Sequence, residues 1–561
     1  MVTGDQHKVF IVSLDGATFD VLRPLADQGY LPNLKTIMTE GLAADLESVI
    51  PPVTAPAWTS FMTGKTPGKH GIFDFTRFDP ADRSIKLNNA ENIRSKTLWQ
   101  ILSEKGKRVI VLNMPYTYPP PQVNGVVVAG WDAPSVEANF TYPPEIRARI
   151  FENIPDYGST LDLSLWNYLP TKSDQQFDLF VAKLVRSFQQ GLELATFLLE
   201  ENKWDVCMVH FQQTDWIQHK LWSSIEEACQ NASNKSARIE KIRECYGEFD
   251  RMVGALLQKI ENEKPTTILL SDHGFGRHLG SIRPNFFLRQ WNYFHLIDRP
   301  ETRFQDFFRK SRFRFMRRLY DSTAKIKHRV FDGRKSLKYK SWGEEANQEV
   351  SQQKSFIDWT RTKVAAVEGS ETAHLFVNLV GRGTQGIVQT GSEYESIVSD
   401  LIAKFQDVRH PDTGEKLLVR VARGSDIYPS SQDGVMLPDV VLIPKDGYGF
   451  SMSVSDAPPR VSNEGNHRHN GVLLIRGDRM VRPAHDFRPN LIDIAPTILH
   501  LLGLPVPADM DGRALEELFP GLPAVSFEAA EQTDISTTST EYTAHEAELI
   551  EQRLKGLGYV E

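Results

Sequence analysis

Val9-Phe10-Ile11-Val12-Ser13-Leu14 runs without a break into Asp15-Gly16. Near-continuous apolarity, in place of in-out alternation, marks a strand covered on both faces. The carboxylate at its end then stands where open α/β sheets gather functional groups, at the carboxyl ends of strands. Runs of the same kind recur at 108–112, 126–129, 206–211, 266–270 and 472–475, with helical patterns at 95–106, 175–202 and 236–263 between them. Strands alternating with helices long enough to cross back predict an α/β fold, a mostly parallel sheet flanked by helices.

Residues 295–430 break that rhythm. They open on a basic helical stretch and continue in short alternating runs such as Leu375-Phe376-Val377-Asn378-Leu379, which reads as an inserted α+β cap. The core pattern resumes at Pro438-Asp439-Val440-Val441-Leu442 and closes with the amphipathic 491–502. The expected division is a catalytic core in two parts, 1–294 and 431–522, a cap at 295–430, and a tail at 523–561. In that tail a Ser/Thr/Glu/Ala-rich linker leads to a helix at 544–557 that docks back on the body.

The 561 residues hold material for roughly three or four domains, and 40 % hydrophobic with 24 % charged residues excludes a disordered or fibrous chain. Lys plus Arg at 64 against Asp plus Glu at 72 gives a net charge of −8, so no specific nucleic-acid partner is indicated. No run of about eighteen uncharged apolar residues occurs, and Met1 leads through polar residues into the first strand without the pattern of an export signal. Cys207, Cys229 and Cys245 have no CxxC spacing, which points away from a disulfide framework and toward a reducing, cytoplasmic compartment.

Three strand ends carry metal-ligand residue types: Asp15; Asp215 and His219 after 206–211; and Asp272-His273 after 266–270. Singly each is weak, because an Asp-His pair arises by chance in solvated turns and Asp-x-x-x-His can be a surface pair. Together they supply the mixed nitrogen and oxygen donors that suit Zn²⁺ or Mn²⁺ and not a Ca²⁺ cage. The segment from Pro51 to Gly64 reads as a short helix with Thr54 at the N-cap, Pro56 in the first turn and Gly64 past its end. A Thr N-cap needs no function, yet there its hydroxyl sits where free N–H groups and the helix dipole favour a phosphoryl oxygen. As a nucleophile it needs a base or a metal.

In order and spacing, five blocks resemble the type I phosphodiesterase/nucleotide pyrophosphatase family of the alkaline phosphatase superfamily. They are Asp15-Gly16; Thr54-x-Pro-x-x-x-Ser-x-x-Thr-Gly-x-x-Pro-x-x-His-Gly ending at His70-Gly71; Asp215-x-x-x-His219; Ser271-Asp272-His273-Gly274; and Gly465-Asn466-His467-Arg468. The stretch from Ile492-Asp493 to Asp511-Gly512 resembles the superfamily's core. The resemblance implies an alkaline-phosphatase-like sheet and two divalent metal ions, zinc in most members, with manganese the alternative. One ion would be held by Asp215, His219 and His467, the other by Asp15, Asp272, His273 and the Thr54 hydroxyl. Gly-x-His-Arg matches at His467, which the resemblance favours over His469. The implied activity is hydrolysis of phosphodiester or nucleotide pyrophosphate bonds in a small phosphate-ester substrate, with Thr54 forming a phosphothreonine.

Two positions depart from related patterns. Where the family's nucleotide pyrophosphatases carry an Asn three residues after the nucleophile, this chain has Ala57, and the Arg of the sulfatase pattern is replaced by Trp58. Rival readings are a phosphomonoesterase or phosphomutase on the same core, against which Thr54 stands because such mutases use Ser, and a non-catalytic metal- or anion-binding module. Trp58 reads as a core tryptophan or a stacking surface, and His70 as structural. Residues 309–340 hold thirteen Lys or Arg, with Phe313 and Phe315 among them. Such a stretch is a solvated cap face, a guide for an anionic substrate or a contact to an anionic membrane surface.

Overall fold

The computed structural model describes residues 7–158, 173–297, 357–383, 385–432, 434–483, 487–530, 541–557 and 559. The basic 309–340 stretch, and with it the expected membrane or substrate contact, lies outside the described residues.

Five strands run parallel in the order Thr266–Leu270, Val9–Leu14, Val206–Phe211, Val109–Met114 and Gly125–Ala129. Nearly every residue in them is buried, as their unbroken apolarity requires. Asn470–Arg476 lies antiparallel beside Thr266–Leu270, with Leu42–Glu47 outside it, and Thr141–Tyr142 closes the other edge. Leu42–Glu47 gives little signal in the sequence because, at the edge, only Leu42 and Leu46 are buried.

Helices cover both faces of the sheet. Asp174–Glu201 begins at Ser173, whose side chain accepts from the Gln176 N–H, and buries Phe177, Phe180, Leu184, Phe188 and Leu198 along one stripe. Phe188 is sandwiched with ring centroids 4.0 Å from Phe211 and 4.2 Å from Phe249, which lies on the helix Ala237–Ile260. Truncating it to Ala would cost about 3–5 kcal/mol. That packing holds the end of Val206–Phe211, from which functional residues hang.

A second apolar core draws on residues from Ile282 to Phe450. It lies under a four-stranded antiparallel sheet ordered Val364–Glu368, Ala373–Val377, Val440–Pro444, Leu418–Arg423, with the helix Ser392–Gln406 packed on it. This sheet and its core take in residues on both sides of 295–430. Val440–Pro444, expected to continue the main sheet's pattern, is a central strand here, with Leu375 and Arg423 across from Val440. A doubly covered apolar run reads alike in either sheet.

The tail is also tied down further than expected. Phe527–Glu528 pairs with Val506–Pro507, so the start of the expected linker belongs to the body. The helix Ala544–Leu557 docks on the main core and buries Ile550, Arg553 and Leu554. No described helix is long and apolar enough to cross a membrane.

Candidate metal centre

Adjacent parallel strands set the first cluster. Val9–Leu14 pairs with Thr266–Leu270 so that Ser13 faces Leu270, which brings Asp15 and Asp272, each two residues on, to the same level. His273 Nε2 then lies 3.5 Å from Asp15 Oδ1 and 3.4 Å from Asp272 Oδ2, with all three side chains buried.

The second cluster starts one strand over. The helix Gln213–Gln230 begins as soon as Val206–Phe211 ends, so Asp215 and His219 share a face one turn apart, with His219 Nε2 3.3 Å from Asp215 Oδ1. His467 arrives on Gly465–Arg468, which pairs antiparallel with Gly274–Arg277 just after His273 and sets His467 opposite Phe275. Its Nε2 lies 3.4 Å from Asp215 Oδ1 and 3.0 Å from His219 Nε2. His469 instead faces Glu47 at 3.4 Å, outside the cluster. The two clusters adjoin: the rings of His273 and His467 stack at 3.7 Å. Gly16, at φ 64°, threads between them, where an added Cβ would stand 3.3 Å from both Asp215 Oδ1 and His273 Cε1.

Hydrogen bonds fix how the imidazoles point. His273 Nδ1 lies 3.0 Å from the Gly274 carbonyl and His467 Nδ1 lies 3.0 Å from the Pro52 carbonyl. A carbonyl only accepts, so each ring carries its proton on Nδ1 and turns the Nε2 lone pair into its cluster, as metal-ligating imidazoles do. Ligands bound to a tetrahedral Zn²⁺ at ~2.0–2.1 Å stand ~3.3–3.4 Å from one another. The separations here, 3.0 to 3.5 Å, fit one small cation per cluster.

The unpaired polar atoms point the same way. Asp15 Oδ1, Thr54 Oγ1, Asp215 Oδ1, Asp272 Oδ2 and His273 Nε2 are buried with no hydrogen-bond partner. Buried polar atoms are nearly always paired, and a cation in each cluster would leave none of the five unpaired. Burial, then the charges of Asp272 and Asp215, pushes the Asp15 carboxyl well up, and burial does the same to Asp272. Burial would also raise Asp215, but His219 and His467 outweigh it and hold that carboxyl well below the usual range. Burial, with His467 adding, pushes His273 well down, and burial likewise lowers His467, so both rings are in the neutral form that binds metal.

Thr54 is the first residue of the helix Thr54–Thr63, and its N-cap is Val53, extended at φ −124°. The expected Thr N-cap is thus displaced by one residue, because the Val53 carbonyl takes the Ala57 N–H at 2.9 Å and closes the first turn. Pro56 has no N–H, so the Thr54 and Ala55 N–H groups and the Thr54 hydroxyl are what this helix end offers a ligand. Ala57 is buried. Trp58 is a core residue that also steadies a ligand candidate, since its Nε1–H donates to Asp15 Oδ2 at 2.7 Å. Lying at i+4 from Thr54, it shares the helix face of the nucleophile candidate, a signal present in the sequence. His70 Nδ1 accepts from the Ile72 N–H at 3.2 Å while Nε2 meets Ser60 Oγ at 2.8 Å, so the ring ties its own segment to the helix Thr54–Thr63.

Two further residues carry no local sequence signal. Glu371, from the cap, accepts from Asn466 Nδ2 at 2.8 Å beside His467, and burial pushes its carboxyl up to about 8. Tyr559 donates its hydroxyl to Asp215 Oδ2 from 344 positions away.

Residues 9–472 match the family described as Type I phosphodiesterase / nucleotide pyrophosphatase. No curated protein matches the chain in sequence. Among solved structures, phosphonoacetate hydrolase from Sinorhizobium meliloti 1021 in complex with phosphonoformate aligns with a TM-score of 0.51 at 13 % identity, over 89 % of this chain and 95 % of that one. An inactive form of murine ectonucleotide pyrophosphatase/phosphodiesterase 5 in complex with AMP aligns with a TM-score of 0.47 at 13 % identity, over the same shares. The hydrolase shows the shared alkaline-phosphatase-like fold. Because the family match spans most of the chain and runs from before Asp15 to beyond His467, this chain belongs to the type I phosphodiesterase/nucleotide pyrophosphatase family and is a phosphoric ester hydrolase.

Proposed function

We propose that the chain hydrolyses phosphodiester or nucleotide pyrophosphate bonds through a phosphothreonine at Thr54, in a site that holds two divalent cations, zinc or manganese. The observation that carries this reading is the buried, unpartnered set Asp15 Oδ1, Asp272 Oδ2, His273 Nε2 and Asp215 Oδ1, together with a buried, unpartnered Thr54 hydroxyl on the helix whose Trp58 donates to Asp15 Oδ2. Asp15, Asp272, His273 and Thr54 would hold one cation, and Asp215, His219 and His467 the other. When bound, the cations act as Lewis acids that lower the pKa of the Thr54 hydroxyl and neutralise phosphoryl charge.

The chain's own residues do the positioning. The Thr54 and Ala55 N–H groups at the helix end donate to a non-bridging phosphoryl oxygen. Thr54 Oγ gives its proton to solvent and forms the Oγ–P bond while the bond from phosphorus to the leaving oxygen breaks, and that oxygen takes a proton from water. A second water then attacks phosphorus opposite Thr54 Oγ, the Oγ–P bond breaks, and Thr54 Oγ takes the proton that the attacking water gives up. Trp58 keeps Asp15 in place throughout, and the Pro52 and Gly274 carbonyls hold the two imidazoles in their neutral tautomers.

The test is turnover of aryl phosphodiesters, aryl phosphomonoesters and nucleotides, with metal content measured in the same preparation. Diester or pyrophosphate turnover at two ions per chain is the expected result. A monoester preference would make the enzyme a phosphatase on the same ligands, and metal binding without turnover of any ester would make it a binding module.

A further inference from the structure

We propose that Tyr559, following the helix Ala544–Leu557, is a positioning residue of the metal centre: its hydroxyl orients Asp215 so that one carboxylate oxygen is left for the cation. This inference rests on the reading of Asp215, His219 and His467 as a ligand set.

The Asp215 carboxylate has two unlike oxygens. Oδ1 has no hydrogen-bond partner and faces His219 Nε2 and His467 Nε2, whereas Oδ2 accepts the Tyr559 hydroxyl. The carboxylate is thereby pinned about its last torsion with its free oxygen toward the two imidazoles. Outer contacts of this kind fix first ligands in metal sites, and their loss commonly weakens metal binding about 10–100-fold.

Packing alone does not account for the residue. The ring is buried against Phe75 at 4.6 Å, Trp131 at 6.3 Å and the edge of His219 at 5.3 Å, contacts a phenylalanine would make equally well. A hydroxyl inserted among those rings must find a partner or cost free energy. It finds a carboxylate, and the Thr54 hydroxyl lies beside the same phenol. The phenol thus sits against the Asp215 carboxylate with the Thr54 hydroxyl as its neighbour.

The segment that delivers it is firmly held. Arg553 is fully enclosed, and its guanidinium donates to the carbonyls of Trp131, Ala133 (2.9 Å) and Pro134 (3.3 Å). The Tyr542 hydroxyl donates to the Asp132 carbonyl at 3.0 Å, and its ring stacks on Tyr118 at 6.0 Å. Trp131, in turn, donates from Nε1 to Gln212 Oε1 at 3.0 Å, at the end of the strand that leads to Asp215. A segment remote in sequence is therefore keyed to the loop that carries the ligands.

The test compares Tyr559→Phe and Tyr559→Ala with the wild type by competition titration of Zn²⁺ against a chromophoric chelator, alongside the melting temperature of each metal-free protein. Tyr559→Phe should lower the affinity of one of the two sites by roughly 10–100-fold, leave the other unchanged and melt close to the metal-free wild type. Tyr559→Ala, which also loses the ring contacts, should melt lower as well. If Tyr559→Phe binds both ions as tightly as the wild type while Tyr559→Ala is impaired, the residue only fills space and the inference falls. A wild type that binds no zinc overturns the metal-centre reading, and the inference with it.

Discussion

The two ligand clusters lie side by side but are built differently. Asp15, Asp272 and His273 hang from neighbouring parallel strands deep in the main sheet, and all three are fully enclosed. Asp215, His219 and His467 combine one turn of a helix with a strand that follows the cap in sequence, and His219 retains 11 % side-chain exposure. The first needs only the sheet to form. The second needs the helix, the 465–468 strand and the Tyr559 segment all to be docked, so it should open at lower free-energy cost. Two-ion sites need not be two equal sites.

The largest effect isolates chemistry from either cluster. Thr54→Ala removes the proposed nucleophile while the six other proposed ligands remain, so turnover should fall by several powers of ten with both ions retained. A variant that keeps more than a tenth of wild-type turnover would reduce Thr54 to a helix-start residue. Chelation tests the contrast itself. Dialysis against increasing chelator should abolish activity, Zn²⁺ or Mn²⁺ should restore it, and the ions should leave in two steps, the one at Asp215, His219 and His467 first. Full activity in metal-free protein would sink the mechanism, and release in the opposite order would sink the contrast.

Single ligands sharpen it. His467→Ala should weaken one site by more than the roughly 10–100-fold that loss of an outer contact costs, while His469→Ala, removing a surface contact to Glu47, should leave both sites unchanged. The reverse ranking would move the ligand to His469. On the other side, Trp58→Phe keeps the edge contacts to Phe61 and His210 but deletes the donor to Asp15 Oδ2. It should weaken only the first cluster, by roughly 10-fold or more. Equal losses at both sites would mean that the clusters cannot be treated separately.

Legibility in the sequence followed the same divide. Asp15 and the Asp272-His273 pair could be found because each ends an apolar run with a strand's signature, and Asp215 with His219 because i and i+4 share a helix face. His467 came from a family pattern, and nothing in its local sequence separates it from His469. Only the ladder that sets His467 against Phe275, while His469 faces Glu47, does so. Tyr559 and Glu371 were invisible because their roles depend on how distant segments dock, which no local periodicity encodes. Val440–Pro444 misled for a related reason: apolarity reports coverage, and both sheets cover their central strands.

The smallest expected effect concerns substrate class, and it turns on what surrounds Thr54. Ala57 stands where an amide would hold a non-bridging oxygen, and it is buried, so that donor is missing. The Tyr559 phenol beside Thr54 donates to Asp215 Oδ2 and is not free to replace it. A monoester dianion carries one more negative charge than a diester and gains most from each added donor, so a site short of one loses more on monoesters. kcat/KM for an aryl phosphodiester should therefore exceed that for the matching monoester by about tenfold, roughly 1.4 kcal/mol of transition-state preference. Ala57→Asn should narrow the ratio by restoring an amide three residues after the nucleophile. A wild-type preference for the monoester, with both ions bound, would mean that another donor serves the third oxygen, and Glu371, whose buried carboxyl meets Asn466 beside His467, would be the first residue to replace with Gln.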